Sequence, residues 1–117
     1  MRILIIEDNR DTADSLKLLL ELTGHEVYVA YSGPEGVVLA AEYLPEVILS
    51  DIGLPGLDGF DVARELRQNQ ALDHTRLIAI TGYGSDDNRR RAHQCGFDYF
   101  LAKPADTTAL LQLLGSS

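Results

Sequence analysis

The sequence predicts an α/β fold: a five-stranded, doubly wound parallel sheet in the order 2-1-3-4-5 with five helices. Two observations point there. Short apolar runs alternate with amphipathic stretches of about ten residues, five times along the chain, which is the signature of parallel strands joined by crossover helices. Three of the runs, Ile3-Leu4-Ile5-Ile6, Val47-Ile48-Leu49 and Leu77-Ile78-Ala79-Ile80, are apolar at every position, as strands are when helices cover both faces of the sheet. Right-handed crossovers between five such strands commonly give the 2-1-3-4-5 order.

The strands are expected at Arg2–Glu7, Glu26–Ala30, Glu46–Ser50, Arg76–Thr81 and Phe97–Ala102. The first helix has Asp11 as its expected N-cap, with Ala13, Leu16, Leu19, Leu20 and Thr23 on one inward face and Gly24 as its stop. Ser32-Gly33-Pro34-Glu35 reads as a capping box with proline in the first turn, and Pro45 closes the second helix. Asp58, Ser85 and Asp106 are the expected caps of the remaining three, with Phe60, Ala63 and Leu66 inward on the third.

At 117 residues the chain is sized for one core, so residues 1–117 are expected to form a single domain. Hydrophobic residues make up 45% and charged residues 24%, a globular balance. No apolar run approaches the ~18 residues of a membrane span, and the N-terminal stretch turns acidic by Asp8, so a cytoplasmic, membrane-free protein is expected. A net charge of −8 disfavours direct nucleic-acid binding, which relies on cations displacing counterions. The lone Cys95 implies no disulfide and reads as a small core residue. His25, His74 and His93 lack ligand spacing.

In open α/β sheets ligands bind beyond the carboxyl ends of the strands, at the point where strand order reverses. Here that point lies between strands one and three. The strand ends carry Glu7 and Asp8, Asp51, Thr81 and Lys103. Carboxylates gathered from neighbouring strands repel one another unless a proton or a cation intervenes. Mg²⁺ suits them, because it takes oxygen ligands, keeps several waters and pairs carboxylates with phosphate oxygens. Asp51, after an apolar run and before the turn-forming Ile52-Gly53-Leu54-Pro55-Gly56, is placed to act as a nucleophile forming an aspartyl phosphate. Lys103 can neutralise phosphoryl charge, Thr81 offers a hydroxyl, and Gly82 lets a backbone amide approach. Taken singly, each is more often a helix cap, a solvated turn or a surface charge. Their convergence on one sheet edge favours the functional reading.

Glu7-Asp8-Asn9, Asp51 through Gly59, Thr81-Gly82 and Lys103-Pro104 resemble, in order and spacing, the receiver domains of two-component response regulators, the chemotaxis regulator among them. The likeness spans essentially the whole chain. It implies that Asp51 is the phosphorylation site, that Asp8, Asp51 and the Gly53 carbonyl hold Mg²⁺ with Glu7 acting through water, and that Lys103 and Thr81 contact the phosphoryl group. It implies a phosphohistidine donor on a histidine kinase or phosphotransfer protein, with small phosphodonors as substitutes. It also implies a signalling domain and not a turnover enzyme, with Mg²⁺-dependent self-phosphorylation and autodephosphorylation. Thr81 and Phe100 are the implied switch pair, acting on a partner-binding face of helix four, strand five and helix five. An effector protein or fused domain would read that face, and phosphorylation-dependent homodimerisation is compatible with it. Thr81-Gly82-Tyr83-Gly84 and the stretch from Gly96 to Pro104 look most like receivers attached to hybrid histidine kinases. Leu54 and Ala105 stand where methionine and phenylalanine are frequent in the family; they bear on partner identity, not on the chemistry.

Rival readings predict different behaviour. An aspartyl-nucleophile phosphatase of the haloacid-dehalogenase type expects a second Asp two residues after the nucleophile, where Gly53 stands. A flavodoxin-like nucleotide binder expects a glycine-rich first loop, where this chain has Glu7-Asp8-Asn9-Arg10-Asp11. A phosphorylation-independent interaction module has no need for Asp51, Thr81 and Lys103 together. Arg89-Arg90-Arg91 on the fourth helix reads as a solvated face.

Overall fold

Strands β1 (Arg2–Ile6), β2 (Glu26–Ala30), β3 (Val47–Asp51), β4 (Arg76–Thr81) and β5 (Tyr99–Ala102) alternate with helices α1 (Arg10–Leu22), α2 (Gly33–Tyr43), α3 (Gly59–Gln68), α4 (Asp86–Cys95) and α5 (Thr107–Gly115) in the computed structural model. It describes residues 1–52, 59–81, 86–102 and 107–115, and the backbone alone of 81, 86, 87, 102, 107 and 115. All strand pairings are parallel, in the order β2-β1-β3-β4-β5. This is the expected fold.

The central strands are apolar throughout because both of their faces are covered. Ile3 and Ile5 join Val47, Leu49, Ile78 and Ile80 under Leu16 and Leu20 of α1 and Leu110 and Leu114 of α5. Leu4, Ile6, Ile48, Leu77 and Ala79 face the other way, beneath Ala40 of α2, Val62, Ala63 and Leu66 of α3, and Ala92 and Cys95 of α4. Ile3, Leu4, Ile5 and Ile6 are each at most 1% exposed, and fully burying a side chain of that size contributes about 1.5–3 kcal/mol. Cys95 is buried in this second layer, as its sequence context suggested.

Several boundaries differ from expectation, each for a local reason. Asn9, not Asp11, caps α1: its side chain accepts from the Thr12 amide at 3.0 Å. β1 stops at Ile6, although the Glu7 amide still donates to the Ala30 carbonyl at 3.0 Å, so the chain turns at Asp8 and the helix starts before Asp11 can cap it. On α1, Leu19 is half-buried and Thr23 exposed. Thr23 lies beyond the helix as its C-cap. β3 runs one residue later than expected, through Asp51.

Phe97 is not in β5; its amide closes α4 by donating to the Ala92 carbonyl at 3.0 Å, and its ring is buried. A 3-10 turn at Gln70–Leu72 precedes β4 and was not anticipated. Half of the Ser32 box is observed: the Glu35 amide donates to Ser32 Oγ at 3.3 Å, while Glu35 Oε2 accepts from the Tyr31 amide, one residue before the cap. The expected caps Asp58, Ser85 and Asp106 lie outside the described residues.

α1 and α4 each end on a glycine at positive φ, Gly24 at 91° and Gly96 at 111°, with the paired amide-to-carbonyl bonds of a Schellman turn. Arg67 of α3 braces the second of these turns. It donates to the Gly96 carbonyl at 3.0 Å, the Leu72 carbonyl at 3.0 Å and Asp98 Oδ2 at 2.9 Å, and Asp98 Oδ2 also accepts from the Leu77 amide.

Gly59 opens α3 in contact with the strand end. Its amide donates to the Ile52 carbonyl at 2.8 Å, and a Cβ there would lie 2.5 Å from the Asp51 carbonyl oxygen and 2.5 Å from Ile52 Cα. Those neighbours are backbone and cannot rotate away. Gly59→Ala is therefore expected to destabilise the fold by about 1–3 kcal/mol, as overpacking does, despite alanine's better helix propensity. Urea denaturation checks this, and an unchanged midpoint would show that α3 can stand off from Asp51.

Candidate functional site

The acidic cluster follows from strand register. Ile6 pairs with Ser50 across β1 and β3, so Glu7 and Asp51, one residue further along each strand, emerge side by side. Asp8 follows on the turn. The structure brings Glu7, Asp8 and Asp51 together, with one carboxylate oxygen of each within 4.8 Å of the others. Glu7 is buried at 3% exposure, Asp51 half-buried and Asp8 exposed. At such spacing a pair of carboxylates repels by about 3 kcal/mol if the effective dielectric is about 20.

The backbone around Asp51 is held from two sides. Ser50 Oγ donates to the Asp51 carbonyl at 3.1 Å, and the Gly59 amide closes on Ile52 at the foot of α3. Beneath the cluster lies a small hollow lined by Glu7, Thr12, Leu16, Leu49, Asp51 and Ile80, so the carboxylates rest on the apolar layer under α1. The donor set suits a hard divalent cation: the ligands are all oxygens, and one of the three carboxylates is open to solvent, leaving room for water. Among the described residues no other group of His, Cys, Asp and Glu has metal-ligand spacing.

Thr81 ends β4 on the same sheet edge; Asp51 pairs with Ile80, the residue before it. Its side chain lies outside the described atoms, and Gly53, Gly82 and Lys103 lie outside the described residues. Phe100 pairs with Ala79 and is half-buried against the α2–α4 layer. The Arg89 guanidinium of α4 lies 5.0 Å from the Phe100 ring centroid, and Arg91 lies 4.4 Å from that of Phe60. Arg89, Arg90 and Arg91 are all exposed, as a solvated face requires, and Arg89 and Arg91 in addition rest against different aromatics.

Sequence reasoning also missed the rim beside β2, where Arg10 Cζ sits 4.2 Å over the Tyr31 ring. A cation two residues after Asp8 and an aromatic just after the second strand were its only traces. Their meeting depends on β2 lying beside β1.

The model of the response regulator receiver domain matches residues 3–115. This chain belongs to the response regulator receiver family. The receiver is 34% identical over 114 residues to an uncharacterised 14.6 kDa protein of Leptolyngbya boryana, covering 97% of this chain and 87% of that one. It is 31% identical over 114 residues to the polar-differentiation response regulator DivK of Brucella ovis, covering 97% of this chain and 93% of DivK. Among solved structures it resembles the receiver domain of the sensor histidine kinase PA1611 of Pseudomonas aeruginosa, crystallised with a magnesium ion coordinated in its active-site cleft. The TM-score is 0.88 at 30% identity, over 97% of this chain and 93% of that one. The receiver is thus a two-component signalling domain, consistent with a phosphoacceptor role. No helix among its described residues is long and apolar enough to cross a membrane.

Asp51→Asn keeps the side-chain shape and removes one charge from the cluster. In excess chelator the variant is expected to be more stable than the parent by about 1 kcal/mol, through relief of carboxylate repulsion. A urea melt reads this; a lower midpoint would mean that repulsion is not the governing term.

Proposed function

We propose that this receiver accepts a phosphoryl group on Asp51, with Mg²⁺, from a phosphohistidine on a histidine kinase or histidine phosphotransfer protein, and that the resulting aspartyl phosphate changes a partner-binding face. The observation that carries this reading is the meeting of Glu7, Asp8 and Asp51 oxygens within 4.8 Å at the ends of adjacent strands. Family membership supplies the context.

In the transfer, an Asp51 carboxylate oxygen attacks phosphorus as the bond to the donor nitrogen breaks; that electron pair stays on the imidazole, which takes up a proton from solvent. Asp8, Asp51 and the Gly53 carbonyl would hold the Mg²⁺, with Glu7 acting through a water. Bound there, Mg²⁺ supplies charge neutralisation for the carboxylates and the phosphoryl oxygens. The chain's own contribution is to hold Asp51 still, through Ser50 and the foot of α3. Family likeness gives Lys103, Thr81 and the Gly82 amide the task of contacting the transferred group. Residues 1–117 acting as one domain, self-phosphorylation by small donors and autodephosphorylation complete the reading.

Labelling with a small phosphodonor tests the chemistry. Asp51→Asn is expected to lose the base-labile label, excess chelator to abolish it in the parent, Asp8→Ala to lose both metal binding and label, and Glu7→Ala to be milder because its contact runs through water. Label retained at the parent rate by Asp51→Asn, or in chelator, would overturn the scheme.

The switch is read through Thr81 and Phe100 toward the face of α4, β5 and α5. Phe100 lacks a hydroxyl, so its inward turn needs no hydrogen-bond partner and could gain up to ~1.5–3 kcal/mol from burial. The Arg89 guanidinium over the ring must follow it or let go, at about 0.5–1 kcal/mol for an exposed pair. A beryllofluoride phosphoryl mimic is expected to shift the Phe100 ring resonances together with those of Thr81 and Arg89. A perturbed Thr81 beside an unchanged Phe100 would rule out the coupling.

A further inference from the structure

Arg10 is an unexpected residue where it stands. It opens α1, where the partial positive charge of the helix N-terminus disfavours a cation. The structure gives it a built support. Its guanidinium lies 4.2 Å over the Tyr31 ring, and Tyr31 is tied through both side chain and backbone: its Oη donates to Asp14 Oδ1 at 3.0 Å and its amide donates to Glu35 Oε2 at 3.3 Å. A phenol that donates to a carboxylate becomes more electron-rich, which strengthens its attraction for a cation over the ring.

Register locates this cation relative to the acidic cluster. Ala30 pairs with Ile6, and Ile6 with Ser50, so Tyr31, Glu7 and Asp51 occupy successive places along one edge of the sheet. With parallel strands about 4.8 Å apart, Tyr31 and Asp51 are separated by about 10 Å. The Tyr31 and Asp51 backbones thus lie about one Debye length apart at ordinary ionic strength, near enough for a charge stacked on Tyr31 to be felt at Asp51. The residues around Arg10 are acidic: Asp8, Asp11, Asp14 and Glu35. It is the only basic residue from Glu7 through Leu16.

We propose that Arg10, held on Tyr31, is a positioning residue that sets the charge balance of the site: it draws anionic phosphodonors toward Asp51 and holds down the resting affinity for divalent cations. This rests on the phosphoacceptor reading for its donor half only. The two halves have opposite signs, which separates them from a purely structural role. Losing a packing contact would weaken metal binding and slow every donor alike, whereas losing a charge tightens the metal and slows donors in proportion to their own charge.

The experiment uses the full chain with Arg10→Gln, Arg10→Glu and Arg10→Lys, with Mg²⁺ affinity followed by backbone-amide NMR at low ionic strength. Labelling at saturating Mg²⁺ is compared for acetyl phosphate, a dianion, and phosphoramidate, which carries less charge. A unit charge about 10 Å from a divalent ion in a water-like dielectric corresponds to an affinity change of about threefold. Arg10→Gln is expected to lower the Mg²⁺ Kd about threefold. Arg10→Glu should lower it by roughly the square of that factor, Arg10→Lys should stay near the parent, and the differences should fade in high salt. Acetyl phosphate labelling should fall in the same order and by more than phosphoramidate labelling. An unchanged or raised Kd in Arg10→Glu, or equal slowing of both donors, overturns the proposal. Should the parent take label from neither donor, the phosphoacceptor reading fails instead, and the metal titration still decides the role of the Arg10 charge.

Discussion

Parallel pairing of β1 against β3 forces a repulsion that the rest of the site is built to contain. Once Ile6 lies opposite Ser50, Glu7 and Asp51 must emerge together with Asp8 beside them. The strand register keeps the Glu7 and Asp51 backbones side by side, and one carboxylate oxygen of each of the three residues lies within 4.8 Å of the others. The sheet is pinned by four consecutive buried residues, Ile3 to Ile6, which feed two separate apolar layers. The hydrophobic free energy of the fold thus holds the acidic groups together, and under the proposed function a cation or a phosphoryl group would change what that closeness is worth.

The surrounding structure keeps this edge fixed at some points and open at others. The foot of α3 touches the backbone at Asp51 through Gly59, and the Glu7 amide stays tied to β2 at Ala30. Farther out, guanidinium groups rest on aromatic faces at three places: Arg10 on Tyr31, Arg89 on Phe100 and Arg91 on Phe60. Such contacts are individually weak and can be exchanged without unfolding the core. Rigid backbone at Asp51 with exchangeable contacts around it would suit the proposed switch, in which one small chemical change alters the surface.

Much of this was legible in the residues. Uninterrupted apolar runs at Ile3 to Ile6, Val47 to Leu49 and Leu77 to Ile80 identify strands covered on both faces, and the polar residues after the first two of them locate the edge where Glu7, Asp8 and Asp51 meet. What the sequence hid depends on contacts between distant elements. Asn9 and Asp11 are equally good caps, and only the end of β1 decides between them. Phe97 is as apolar as any strand residue, but it closes the C-terminus of α4. The Gln70–Leu72 turn has no periodic pattern, and Leu72 is its one buried residue. Arg10 and Tyr31 lie 21 positions apart, so their meeting needed the β1–β2 pairing.

Under the proposed function Asp51, and not one of the carboxylates crowded against it, takes the phosphoryl group. Borohydride reduces an acyl phosphate to an alcohol and leaves ordinary carboxylates alone, so the acceptor can be marked permanently. The receiver would be treated with acetyl phosphate and Mg²⁺, reduced, digested, and the converted residue located by mass spectrometry. Conversion at Asp51 alone is the predicted result; conversion at Glu7, Asp8 or another residue, or none at all, would contradict it.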